Sequence, residues 1–180
     1  GNAISPRGEG DTIYNQFKNT RKSRKAIINL AQQGYNLAIT HGNGPQVGDE
    51  LLRVELASDQ APFIPLGVCV AETEGSMGYM IEQSLQNGLM NENIGRDVAT
   101  IATQIIVDRD DPSVENPNKF IGKWYSKEEV EELARKYDWT VKKIAGKGWR
   151  RVVPSPKPRE IINKRIIKNL VDEGTIVIAA

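Results

Sequence analysis

An α/β fold built on a parallel sheet is predicted by three observations. The run from Tyr35 to Thr40 is short and mostly apolar, is bounded by Gly34 and by the His41-Gly42-Asn43-Gly44 loop, and leads directly into Pro45, which suits a helix's first position. A β-branched run, Val98 to Val107, reads as a second strand, and Thr175 to Ala180 reads as a third. Helical stripes lie between them, so strands and helices alternate as a parallel sheet requires.

Length and composition set the outer limits. The chain has 180 residues, 39% of them hydrophobic and 26% charged, which suits one globular domain with a real core. No apolar run approaches the roughly 20 residues of a membrane span, and no charged-then-apolar leader opens the chain, so the expected location is cytoplasmic, with no membrane partner. The net charge of +1 offers no general attraction to nucleic acid. Cys69, the single cysteine, sits among apolar residues and reads as a buried structural thiol. The chain starts at Gly1-Asn2-Ala3 with no strand before it and stops on a strand, so further sheet partners are expected at both ends, most of them C-terminal.

The elements follow in order. Residues 1 to 10 carry three glycines and a proline and read as a loop. Asp11 is placed to cap a helix to about Gln33, with Ile13, Phe17, Ile27, Ile28 and Ala31 as its apolar stripe and Gly34 as its stop. Gln46 to about Ala57 is a second helix facing a core with Val47, Leu51, Leu52 and Val54. Val68 to Met90 is a long or broken helix. Its Gly75, Ser76 and Gly78 suggest a close approach, either to the sheet or to a second subunit.

After the second strand, Asp108-Arg109-Asp110-Asp111-Pro112 reads as a solvated turn. A calcium loop is rejected because Pro112, Ser113 and Lys119 stand where its pattern needs other residues. Between Pro112 and Pro158, five prolines and all three tryptophans interrupt the alternation, which points to a small inserted subdomain. Within it, Lys127 to Tyr137 is an acidic helix, and Trp139–Ala145 with Trp149–Val153 flank Gly146-Lys147-Gly148 as a hairpin. Ten Lys or Arg residues and one acid lie between Lys142 and Lys168, a run read first as a solvated face and second as a phosphate or nucleic-acid contact. Pro158 to Glu173 is a third core helix, burying Ile161, Ile162, Ile166, Ile167, Leu170 and Val171.

The His41–Gly44 loop is the candidate site. Glycines at positions 42 and 44 permit positive φ and a close backbone approach, and the helix after them presents its positive dipole end, so an anion such as phosphate or carboxylate could bind there. The loop has neither the Lys-Ser/Thr ending of a Walker A motif nor a third Rossmann glycine, and a plain βα connection remains open from spacing alone.

Several separated stretches together carry a resemblance: Gly1-Asn2-Ala3; Ile39-Thr40-His41-Gly42-Asn43-Gly44-Pro45-Gln46-Val47-Gly48; Gly78-Tyr79-Met80; Asp111-Pro112 with Asn116-Pro117-Asn118-Lys119 and Ile121-Gly122; and Gly148 to Pro158, GWRRVVPSPKP. In these the chain resembles the carbamate kinases, of the amino acid kinase fold, over nearly its whole length. The resemblance implies a three-layer α/β/α sandwich with a mostly parallel sheet. Residues 1–180 would form its amino-terminal carbamate-binding and carbamoyl-phosphate-binding lobe, with a lid-like insert at about 112–158. The nucleotide-binding lobe would lie beyond Ala180.

It also implies an enzyme: an ATP-dependent phosphotransferase converting carbamate and ATP, reversibly, to carbamoyl phosphate and ADP with Mg2+, typically in arginine breakdown, and a homodimer. Gly1 and Asn2 would hold the transferred phosphoryl, Gly42, Asn43 and Gly44 the carbamate side, and Lys119 would swing over the phosphates. The resemblance places no metal ligand in this chain. His41 would orient the loop rather than act in acid–base chemistry. The sequence departs from the family in lacking the glycine before Gly1 and in Phe120 and Lys123, where many relatives carry proline. Two rivals stand beside this reading: a kinase of the same fold for another carboxylate or for biosynthetic carbamoyl phosphate, and a non-catalytic lobe that binds anions or dimerises.

Overall fold

The computed structural model describes residues 4–5 and 12–180. Fourteen elements follow in order among them: α1 (Ile13–Gln32), β1 (Ala38–Ile39), α2 (Gly44–Leu56), α3 (Leu66–Asn91), β2 (Val98–Ile101), β3 (Ile105–Val107), α4 (Pro112–Glu115), β4 (Lys119–Tyr125), α5 (Lys127–Tyr137), β5 (Val141–Ile144), β6 (Gly148–Val153), β7 (Pro158–Ile161), α6 (Lys164–Asp172) and β8 (Ile176–Ala179). They fall into two compact units, residues 1–45, 67–104 and 162–180 in the first and residues 46–66 and 105–161 in the second.

The first unit has the expected parallel sheet, in the order β1-β8-β2. Its central strand β8 is fully buried at Ile176, Val177 and Ile178. Ile176 and Ile178 join a core with Ile28 and Ala31 of α1 and Met77, Met80, Ile81, Leu85 and Leu89 of α3. Val177 points to the opposite face by strand alternation. Helix α1 is capped by the Thr12 side chain rather than by Asp11, which lies outside the described residues, and Gly34 ends it with φ of 81°. Ile13, expected on the apolar stripe, is exposed. Cys69 is buried and in no disulfide among the described residues, as expected.

Helix α3 is one unbroken helix of 26 residues. The close approach expected of another backbone is made at Gly78 by a side chain of the sheet instead: an added Cβ would lie 2.1 Å from Cγ2 of Thr100 on β2. At Gly75 an added Cβ would meet nothing within 4 Å.

Two expectations need correction. Val98–Val107 is not one strand. Thr103 donates its N–H and its hydroxyl to the Ala180 carbonyl at 3.1 and 2.7 Å, and the Gln104 N–H goes to the Asn163 carboxamide at 3.0 Å. These bonds turn the chain out of the parallel sheet, and β3 then pairs antiparallel with β7. The third core helix is likewise shorter than expected. Pro158–Ile161 is strand β7, α6 starts only at Lys164, and none of its residues is buried. The apolar stripe is present, yet Ile166 stays 54% exposed because no other described element covers it.

The second unit carries the antiparallel sheet β4-β6-β5. Its hairpin turns at Gly146 and Gly148, both at positive φ (74° and 101°), where a side chain would be strained. Helix α5 starts in a capping box formed by Ser126 and Glu129 and ends in left-handed Asp138. Val130, Tyr125 and Trp139 make the buried cluster beneath it. Among the described residues, no helix is long and apolar enough to cross a membrane.

Candidate functional site

The loop between β1 and α2 is placed by its neighbours in the first unit. Strand β1 is shorter than the expected Tyr35–Thr40, and α2 opens at Gly44 with Pro45 second. Neither Gly42 nor Gly44 adopts positive φ, so left-handed backbone is not why glycine stands there. What both positions have is space: an added Cβ at either would meet no atom within 4 Å. The backbone is therefore left uncovered just where the positive end of a 13-residue helix begins.

Asn43 holds this loop to α3. Its side-chain amide donates to Oγ1 of Thr73 at 3.0 Å and to the Val70 carbonyl at 3.4 Å. What Asn43 can present toward an anion is thus its backbone rather than its carboxamide N–H. No sequence signal marks Thr73, since a threonine inside a mostly apolar helix reads as core, and its partner lies thirty positions away.

His41 packs beside the loop with its ring nitrogens shielded from solvent and without a hydrogen-bond partner of normal geometry among the described residues. Burial lowers its pKa, against a smaller opposing pull from the Gly42 backbone, so the ring is held neutral. A cavity of about 300 Å³ opens behind it, lined by Ile27, Ile39, Thr40, His41, Gly42 and Leu85 among others. Arg24 reaches its wall but already donates to the Ser84 carbonyl at 3.0 Å. The exposed surface of the cavity is mainly apolar and offers little to an anion.

Lys119 is the first residue of β4, paired with Val153 in the second unit. Its side chain is exposed and has no ion-pair partner among the described residues. Upstream, Asp111 caps α4 through the Ser113 N–H and also accepts from the Lys157 N–H, which closes the turn that precedes it. Gly1 and Asn2 lie outside the described residues. Among the described residues, no group of three His, Cys, Asp or Glu side chains is placed to hold a metal ion.

The basic run is neither a bare solvated face nor a free anion patch. Arg150 donates to the Ile121 and Gly122 carbonyls and lies over Trp124, Arg151 lies over Trp139, and Lys142 donates to Asn116. Arg159 pairs with Asp108 and Lys168 with Asp172. Much of this charge is used inside the two units, part of it over the Trp124 and Trp139 rings.

Comparison with known proteins identifies the relatives. No family model matches the chain. It is 43% identical to the carbamate kinase of Pyrococcus horikoshii and 46% identical to that of Thermococcus kodakarensis, in each case over 100% of this chain and 58% of the relative. The solved carbamate kinase of Giardia lamblia bound to AMP-PNP superimposes with a TM-score of 0.92 at 36% identity, covering 99% of this chain and 57% of that one. The chain thus spans somewhat over half the length of these relatives.

Proposed function

We propose, on the premise that this chain is homologous along its whole length to carbamate kinases, that it takes part in reversible phosphoryl transfer between ATP and carbamate, giving ADP and carbamoyl phosphate. The observation that carries this reading is the extent of the match, 43 to 46% identity across the entire chain. The uncovered backbone at Gly42 and Gly44 agrees with it. In this reading the chain acts as the amino-terminal lobe, with residues 112–158 as its lid, in a cytoplasmic homodimer of arginine breakdown.

Carbamate is already an anionic oxygen nucleophile, so the reaction needs no general base, and the task left to the protein is positioning and charge neutralisation. Backbone N–H groups of Gly42, Asn43 and Gly44 at the start of α2 hold the carbamate side. Gly1 and Asn2 hold the transferred phosphoryl. Lys119, exposed and without an ion-pair partner among the described residues, supplies a mobile positive charge to the phosphoryl oxygens. His41, kept neutral, adds no proton chemistry. The magnesium of the reaction has no ligand cluster among the described residues, so no step is assigned to it through this chain.

The test is ATP formation from ADP and carbamoyl phosphate, with magnesium, by the gene product that carries this chain. Rapid formation is expected. A folded protein that forms none with carbamoyl phosphate, yet phosphorylates another carboxylate, would replace carbamate with that acceptor.

A further inference from the structure

Three features bear on how the glycine loop keeps its shape. Gly42 and Gly44 are not held by a left-handed φ, and no atom packs where their side chains would be. Loop geometry is therefore not dictated by the glycines themselves. The side chain between them, Asn43, does leave the loop, and its amide meets Oγ1 of Thr73 at 3.0 Å on α3. Thr73 is only 5% exposed.

The chemistry of this contact runs one way. The Thr73 hydroxyl donates back along its own helix, its Oγ1 lying 2.9 Å from the Cys69 carbonyl oxygen and 2.8 Å from the Val70 carbonyl oxygen. Its oxygen is then left as an acceptor, and the carboxamide nitrogen of Asn43 is the donor that fills it. The second partner of that amide, the Val70 carbonyl at 3.4 Å, is also an acceptor only. Both contacts fix the same nitrogen against the same turn of a helix that is buried in the core at Cys69, Met77 and Met80. A loop with two glycines has the most backbone freedom to lose, so one such anchor changes its ensemble strongly.

We infer that Thr73 is a positioning residue for the acceptor anion: through Asn43 it holds the Gly42–Gly44 backbone in the form that meets the substrate. It does not touch substrate itself. The inference rests on the reading of this loop as the carbamate side of the site, and it names a residue that neither the motif nor its spacing reveals.

Thr73→Val keeps the volume and removes the acceptor, whereas Thr73→Ser keeps the hydroxyl. In the gene product that carries this chain, Thr73→Val is expected to raise KM for carbamoyl phosphate by about tenfold, the size of one lost hydrogen bond to a site that must then be ordered on binding, with kcat changed much less. Thr73→Ser restores KM. In the same gene product, amide hydrogen exchange over residues 41–44 should speed up in Thr73→Val and stay slow in Thr73→Ser. Unchanged exchange in a folded Thr73→Val chain overturns the inference, and so does an unchanged KM in an active enzyme. Wild-type protein that makes no ATP from carbamoyl phosphate overturns the functional reading instead, while the exchange comparison still decides whether Thr73 holds the loop.

Discussion

Tyr125 of β4 donates its phenolic hydrogen to the Glu55 carboxylate of α2 at 2.6 Å. The bond joins two stretches of the second unit that are seventy positions apart, and it does not stand alone. Phe63 stacks on Tyr137 with ring centroids 4.6 Å apart, Tyr137 stacks on Trp139, and Lys136 pairs with Asp59. The segment after the glycine loop is thereby built into the same unit as Lys119. Burial first, and the Glu55 carboxylate second, push the Tyr125 phenol far above its usual range, so it stays a donor at any working pH.

Tyr125→Phe should destabilise the second unit by about 1–2 kcal/mol, because it removes one strong hydrogen bond and keeps the ring in its cluster. Tyr125→Ala should cost about 3–5 kcal/mol, since the packing goes as well. All three tryptophans belong to this unit, so fluorescence-detected denaturation reads it selectively. Equal losses for the two variants would mean that the hydroxyl, not the ring, dominates.

How much of this was visible beforehand depends on the range of the forces involved. Helix α5 and the hairpin at Gly146–Gly148 were found at or close to their bounds because a capping box and a glycine turn are local. The break at Ala102–Gln104 was not, because Thr103 finds its acceptor at Ala180 and Gln104 at Asn163. The stripe of Pro158–Glu173 has helical spacing, but its first four residues are held by pairing with β3, which overrides it. The glycine loop reads in the sequence as the turn between a strand and a helix, which the structure shows, but open space rather than positive φ is what its glycines provide. Its anchor on Thr73 has no local signature, since nothing in the sequence marks a contact between a loop residue and a helix position thirty residues on.

Lys119 provides the sharpest separation of function from stability. Its side chain is exposed and unpaired among the described residues, so Lys119→Ala should leave the stability nearly unchanged, within about 0.5 kcal/mol. ATP formation should fall by more than about tenfold, the loss of one charge that acts on the phosphoryl. Unchanged turnover would remove Lys119 from the site.

Gly42→Ala is the matching experiment on the loop. The backbone there is not left-handed and an added methyl meets nothing within 4 Å, so the chain should fold and melt as before. If the space is where the anion sits, the methyl occupies it, and carbamoyl phosphate binding should weaken by at least about tenfold. Normal binding at normal stability would move the anion elsewhere.

His41 makes the first unit sensitive to acid. Its folded pKa lies below the ordinary value of about 6.5, chiefly through burial, so the unfolded chain holds the proton more tightly. Stability is then full above about pH 6.5 and declines as pH falls from there toward the lowered folded value. His41→Gln should remove that part of the decline. Melting curves by circular dichroism at pH 5 and 7 check it, and an identical acid loss in the variant would assign the effect to other groups.

Two glycines of one helix should respond in opposite directions. At Gly78 a Cβ would lie 2.1 Å from Cγ2 and 2.9 Å from Oγ1 of Thr100, a β-branched residue whose χ1 has few alternatives and whose strand β2 is fixed by β8. Gly78→Ala should therefore force α3 away from the sheet and destabilise the first unit by about 1–3 kcal/mol, despite the better helix propensity of alanine. Gly75 lies one turn earlier on an exposed face with nothing within 4 Å, so only propensity acts, and Gly75→Ala should stabilise by about 0.5–1 kcal/mol. Shortening Thr100 to Ser in the Gly78→Ala background should recover part of the loss, because the Cγ2 methyl is the nearest atom. Calorimetry of the three variants reads the result directly, and a stabilising Gly78→Ala would show that α3 and β2 can part without cost.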